Sequence, residues 1–71
     1  MAKIITTNGT VYCDYGMTTL TNMIYDAKQK TGYVEVRSTK WISRDISLGG
    51  GYDKTVPVSI NTRYIVMVEE D

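Results

Sequence analysis

Few side chains in this chain are equipped for chemistry. Cys13 is the only cysteine, and there is no histidine. A thiol becomes a nucleophile when a neighbouring base or cation holds it as a thiolate, and no imidazole exists to do so. Cys13 therefore reads as a small, half-buried apolar residue. One thiolate with scattered carboxylates is also a poor ligand set for tetrahedral zinc. Asp14, Asp26, Glu35, Asp45 and Asp53 fall in turns, on an outer helix face or at outward strand positions, and no spacing pairs two of them for acid–base work. Glu69-Glu70-Asp71 reads as a solvated end. The sequence thus predicts a non-enzymatic protein that carries no cofactor and no metal.

Gly49-Gly50-Gly51-Tyr52-Asp53-Lys54-Thr55 invites comparison with a phosphate-binding loop. Such a loop needs glycine directly before Lys-Ser/Thr and a helix directly after it, so that backbone N–H groups and the helix terminus meet the phosphates. Here Asp53 precedes Lys54 and a β pattern follows. The glycines read instead as a hairpin connection, because three in a row cost too much backbone entropy inside a regular element. Asn8-Gly9-Thr10 matches a glycosylation sequon, yet Asn-Gly between two β-branched runs reads first as a hairpin turn.

Aromatic and basic residues form the one suggestive constellation. Five of the eight lysines and arginines lie between positions 37 and 63, interleaved with Trp41, Tyr52 and, at the flanks, Tyr33 and Tyr64. Tyr33, Arg37, Lys40, Trp41, Arg44 and Arg63 are the candidate contact residues. Tryptophan, tyrosine and arginine anchor protein interfaces. The same types on an open sheet face can stack bases and reach phosphates. If Tyr33, Glu35 and Arg37 line a free sheet face, Trp41 and Arg44 are expected beside them. Charge decides between the two uses. Eight basic residues balance eight acidic ones, whereas nucleic-acid binders draw most of their affinity from neutralised phosphates. A protein interface is the leading expectation, and a nucleic-acid surface is the alternative.

The elements that must position these residues follow from periodicity. Ile4-Ile5-Thr6-Thr7 and Thr10-Val11-Tyr12-Cys13 flank Asn8-Gly9 and predict a β-hairpin with a type I′ turn. That turn sets Thr7 opposite Thr10 and Ile5 opposite Tyr12. Ile4, Thr6, Val11 and Cys13 then share the more core-like face. A helix of roughly 14 residues is expected from Thr18, as N-cap, to Thr31, with Gly32 past its end. Leu20, Met23, Ile24 and Ala27 form its apolar stripe. From Tyr33 the period is two: Val34 and Val36 alternate with Tyr33, Glu35 and Arg37. An irregular β pattern runs from Trp41 to Leu48. Val56, Val58 and Ile60 alternate next, followed by a turn at Asn61-Thr62-Arg63 and a strand from Tyr64 to Val68. Pro57 cannot donate to a ladder and marks its strand as an edge, one route to pairing with another chain. The alternation from Val56 to Asn61, a turn, and Tyr64 to Glu69 resembles the endings of several small Sm-like and other β-barrel domains.

These readings give one α+β domain over residues 1–71. It has a largely antiparallel sheet of about five or six strands in the order ββαββββ, with one helix packed on one face. A chain of 71 residues buries too little surface for a large stability margin, and small domains add disulfides, a metal or a partner subunit. With the first two unsupported, a homo-oligomer is expected. Ile4-Ile5 is too short for a signal core, no apolar run reaches the roughly 20 residues of a membrane span, and a single cysteine suits a reducing compartment. A cytoplasmic protein without a membrane partner is expected. Size alone suits a small accessory protein of a bacterium or its phage.

Overall fold

The computed structural model describes residues 1–43, 51–52 and 56–70. The element order is β1 (Ala2–Thr6), β2 (Gly9–Cys13), α1 (Met17–Gln29), β3 (Tyr33–Ser43), β4 (Gly51–Tyr52), β5 (Val56–Asn61), a single 3-10 turn (Thr62–Tyr64) and β6 (Ile65–Glu70). All strand pairings are antiparallel. The fold class is the α+β arrangement that the periodicity predicts. The expected β pattern beyond Ser43, the glycines Gly49 and Gly50, and most of the loop compared with a phosphate site lie outside the described residues. Gly51 belongs to β4.

β3 is the organising strand. Its first half pairs with β5, from Tyr33↔Asn61 to Ser38↔Val56. Its second half pairs with β2 on one side and with β4 on the other. β1 then joins β2 to β6, so the sheet runs β5/β4–β3–β2–β1–β6. In a flat sheet β5 and β6 would stand four strand spacings apart, about 19 Å. Yet only the three-residue 3-10 turn separates Asn61 from Ile65, and it rises only about 2 Å per residue. The sheet must therefore curl until its two edges approach at that end. The curl gives it a concave and a convex side.

The core fills the concave side. Ile4, Val11, Cys13, Val34, Val36 and Ile60 project into it from the strands, and Leu20, Ile24 and Ala27 meet them from the helix. These are the alternating strand residues and the helical stripe read from the sequence, so the predicted helix face is the buried one. Leu20 and Ile4 are both fully buried. Three polar residues, Thr6, Ser38 and Thr62, are buried with them, and each has partners as burial requires. Thr62, for example, donates from both its hydroxyl and its backbone N–H to the Gly32 carbonyl, at 3.0 and 2.9 Å.

Two local expectations are corrected. The hairpin register is offset by two residues: Ile5 faces Thr10, Lys3 faces Tyr12, and Thr6 faces Gly9. A type I′ turn needs Asn8 at positive φ, but among the described residues only Gly9 and Gly32 have positive φ. The Thr6 hydroxyl forms the turn instead, donating to the Gly9 carbonyl at 2.8 Å and accepting the Asn8 N–H at 3.1 Å. An offset of two keeps every side chain on its predicted face, so Ile4, Thr6, Val11 and Cys13 are indeed the buried set.

The helix also starts earlier than predicted. Gly16, not Thr18, is the N-cap, and it supplies no side-chain acceptor. The Met17 N–H is instead taken by the Glu70 carboxylate, 3.2 Å away and 53 residues on. A carboxylate there satisfies an orphan donor and faces the positive end of the helix dipole. The predicted Gly32 does end the helix: at φ +81° its N–H closes on the Ala27 carbonyl at 2.8 Å. No helix is long and apolar enough to cross a membrane among the described residues.

Candidate interaction surface

The helix covers the concave side only, so the convex side carries the outward residues of the strands. Pairing register sorts them into two rows. Met67, Ile5, Thr10 and Ile42 stand opposite one another across β6, β1, β2 and β3. The next row is Glu69, Lys3, Tyr12 and Lys40. The first row is apolar except for Thr10. Met67 is 47% exposed and Ile42 45%, and beside Met67 the edge residue Val66 is 59% exposed. The second row is ionic. Lys3 Nζ lies 3.9 Å from the Glu69 carboxylate. The ammonium groups of Lys3 and Lys40 stand 5.8 and 5.2 Å from the centre of the Tyr12 ring, within cation–π range.

The candidate residues read from the sequence do not form one patch. Tyr33 and Arg37 lie exposed on the first half of β3, Arg37 opposite Pro57. Lys40 joins the ionic row. Arg63 is exposed in the 3-10 turn and shares a shallow hollow with Tyr33 and Lys28. Arg44 lies outside the described residues. Trp41 is half-buried and packs against the core, on the opposite side from Tyr33 and Arg37.

A bulge moves Trp41. Cys13 pairs with Ser38, but Tyr12 pairs with Lys40, so Thr39 is an extra residue in β3. One extra residue exchanges the two faces for everything beyond it. Tyr33, Glu35 and Arg37 point outward before the bulge, and Lys40 and Ile42 point outward after it. Side-chain hydroxyls hold the kink. Ser38 and Thr39 both donate to the Tyr12 carbonyl at 3.2 Å, and Ser38 also reaches the Lys40 carbonyl at 3.1 Å. The Tyr15 hydroxyl accepts the Arg37 N–H at 3.2 Å, just past the end of β2.

On the concave side Trp41 walls a cleft of about 390 Å³, together with Val11, Val58 and Ile60 and with Asn8 and Tyr64. Its lining is mostly apolar, with the hydroxyls of Thr6, Thr7, Ser59 and Tyr64 at its polar points, and among the described residues no charged side chain lines it. Cys13 is buried elsewhere in the core, and burial pushes its thiol up to about 11, so it stays protonated at neutral pH. No three His, Cys, Asp or Glu side chains converge among the described residues.

The apolar row escapes a reading of the sequence because its members come from four strands. Ile5, Thr10, Ile42 and Met67 are separate residues in the chain and become neighbours only through the register. The period-two pattern does place Ile5 and Thr10 on the face away from the core, which is the local sign of the row.

Comparison with protein-family models, with curated proteins and with solved structures gives no match.

Proposed function

We propose that this chain is a small, non-enzymatic protein-interaction domain that associates with itself, acting through the convex side of its sheet near β6. The observation that carries the reading is the apolar row from Met67 to Ile42, extended at the sheet edge by Val66. Isolated exposed apolar residues are ordinary on a protein surface, but apolar residues gathered at an edge strand form a contact site or an aggregation hazard. A 71-residue domain with a free buried cysteine and no disulfide also has reason to gain stability from a second subunit. That thiol suits a cytoplasmic setting. Analytical ultracentrifugation over a wide concentration range tests the reading. The expected result is a reversible shift from monomer to oligomer that Met67→Lys weakens. A monomer at every concentration refutes self-association.

One observation favours a second reading. Tyr12, flanked by Lys3 and Lys40, presents a ring with two cations beside it, as a stacked base and its phosphates would need. Glu69 beside Lys3 and the zero net charge oppose it. Fluorescence anisotropy with labelled single-stranded DNA and RNA separates the two. Binding that falls steeply with salt and is lost in Tyr12→Ala would favour the nucleic-acid reading.

A further inference from the structure

We infer that the partner at the β6 edge is a second copy of this chain, whose own β6 adds antiparallel to the first to give a two-fold dimer with one continuous sheet. This rests on the self-association reading above and names the strand and its orientation. The sheet has two edges among the described residues. β5 forms one and contains Pro57, which has no N–H to donate to a neighbouring strand. β6 forms the other. It is six residues long, contains no proline, and among the described residues pairs on one side only, with β1, where Val66 is an extra residue between the Thr6↔Ile65 and Ile5↔Met67 pairs. Its centre is apolar where it meets solvent, at Val66 and Met67.

Charge sets the orientation. Arg63 is exposed in the turn that leads into β6, while Glu69 and Glu70 are exposed at its far end, Glu69 beside Lys3 and Glu70 beside the N-terminus and the start of α1. Antiparallel addition brings the basic start of each strand toward the acidic end of its partner, twice by symmetry. Parallel addition would bring the glutamates of both copies together. Antiparallel pairing is also isologous, so the contact closes as a dimer instead of growing into a fibre. Val66 and Met67 lie near the axis, where each apolar pair meets its own copy.

Charge exchange tests the inference. Arg63→Glu alone sets like charges together at both ends of the dimer, as does Glu69→Arg. Each variant alone is expected to dimerise about tenfold more weakly. Mixing the two restores opposite charges at both ends and should return affinity to within about threefold of the unchanged protein. Both positions are exposed, and thermal melts of each variant confirm folding. If either variant unfolds, Val66→Lys replaces it, placing a charge at the strand centre, and should abolish dimerisation. Hydrogen exchange of the unchanged protein gives a direct readout: amides of residues 65–68 should gain protection as concentration rises. Association without that protection, or without rescue on mixing, overturns the β6 pairing and leaves self-association standing. A monomer at all concentrations overturns both.

Discussion

Raising the pH should cost this protein stability through Cys13 alone in a measurable way. The thiol is buried in the core, and burial lifts its pKa from 9.0 to about 11. Below the lower value the thiol is protonated in the folded and unfolded chain alike and contributes nothing to the pH dependence. Between the two values the unfolded thiol ionises while the folded one cannot, so the unfolded state gains and stability falls as pH rises. At about pH 10 the difference comes to about 1.4 kcal/mol, one pH unit of linkage. A domain this small has a urea dependence of about 1 kcal/mol per molar, so the unfolding midpoint should fall by about 1.4 M between about pH 8 and pH 10 through this group. The comparison is with Cys13→Ala, which keeps every other ionisable group unchanged. That variant is less stable at all pH values because it leaves a small void, but it lacks the thiol. The two midpoints should therefore converge by that amount as pH rises. Midpoints that move in parallel would refute the reasoning, because they would mean that the folded thiol ionises as easily as the unfolded one.

Three further substitutions probe the frame that holds the surface. Leu20→Ala should cost about 3 kcal/mol by urea unfolding, since Leu20 is fully buried where the helix meets the sheet; that is a large part of the roughly 4–11 kcal/mol available to such a chain. Gly32→Ala should cost about 1 kcal/mol through backbone strain at φ +81°, because nothing lies within 4 Å of the added methyl to clash with it. A loss of several times that, again by urea unfolding, would place the cause in packing. Glu70→Ala should lower helix stability by about 0.5–1 kcal/mol, seen as faster hydrogen exchange at the start of α1, because it removes the carboxylate from the Met17 N–H. Unchanged exchange there would show that the contact contributes nothing.

Local periodicity determined much of this fold. Alternation at Val34 and Val36 and again at Val56, Val58 and Ile60 identified inward strand residues, since a strand sends successive side chains to opposite faces. The stripe of Leu20, Ile24 and Ala27 identified the buried helix face for the equivalent helical reason. Pro57 marked an edge, because its ring removes a ladder donor wherever the strand lies. Gly32 marked the helix end. Tertiary structure alone decided the surface. The bulge at Thr39 depends on Ser38 and Thr39 finding the Tyr12 carbonyl, a residue in another strand, and that one insertion carries Trp41 inward and Ile42 outward. The cap on α1 comes from Glu70, at the far end of the chain. The apolar row exists because curl and register bring Ile5, Thr10, Ile42 and Met67 together. Each of these rests on a partner distant in sequence, and a pattern read over a few consecutive residues contains no term for such a partner.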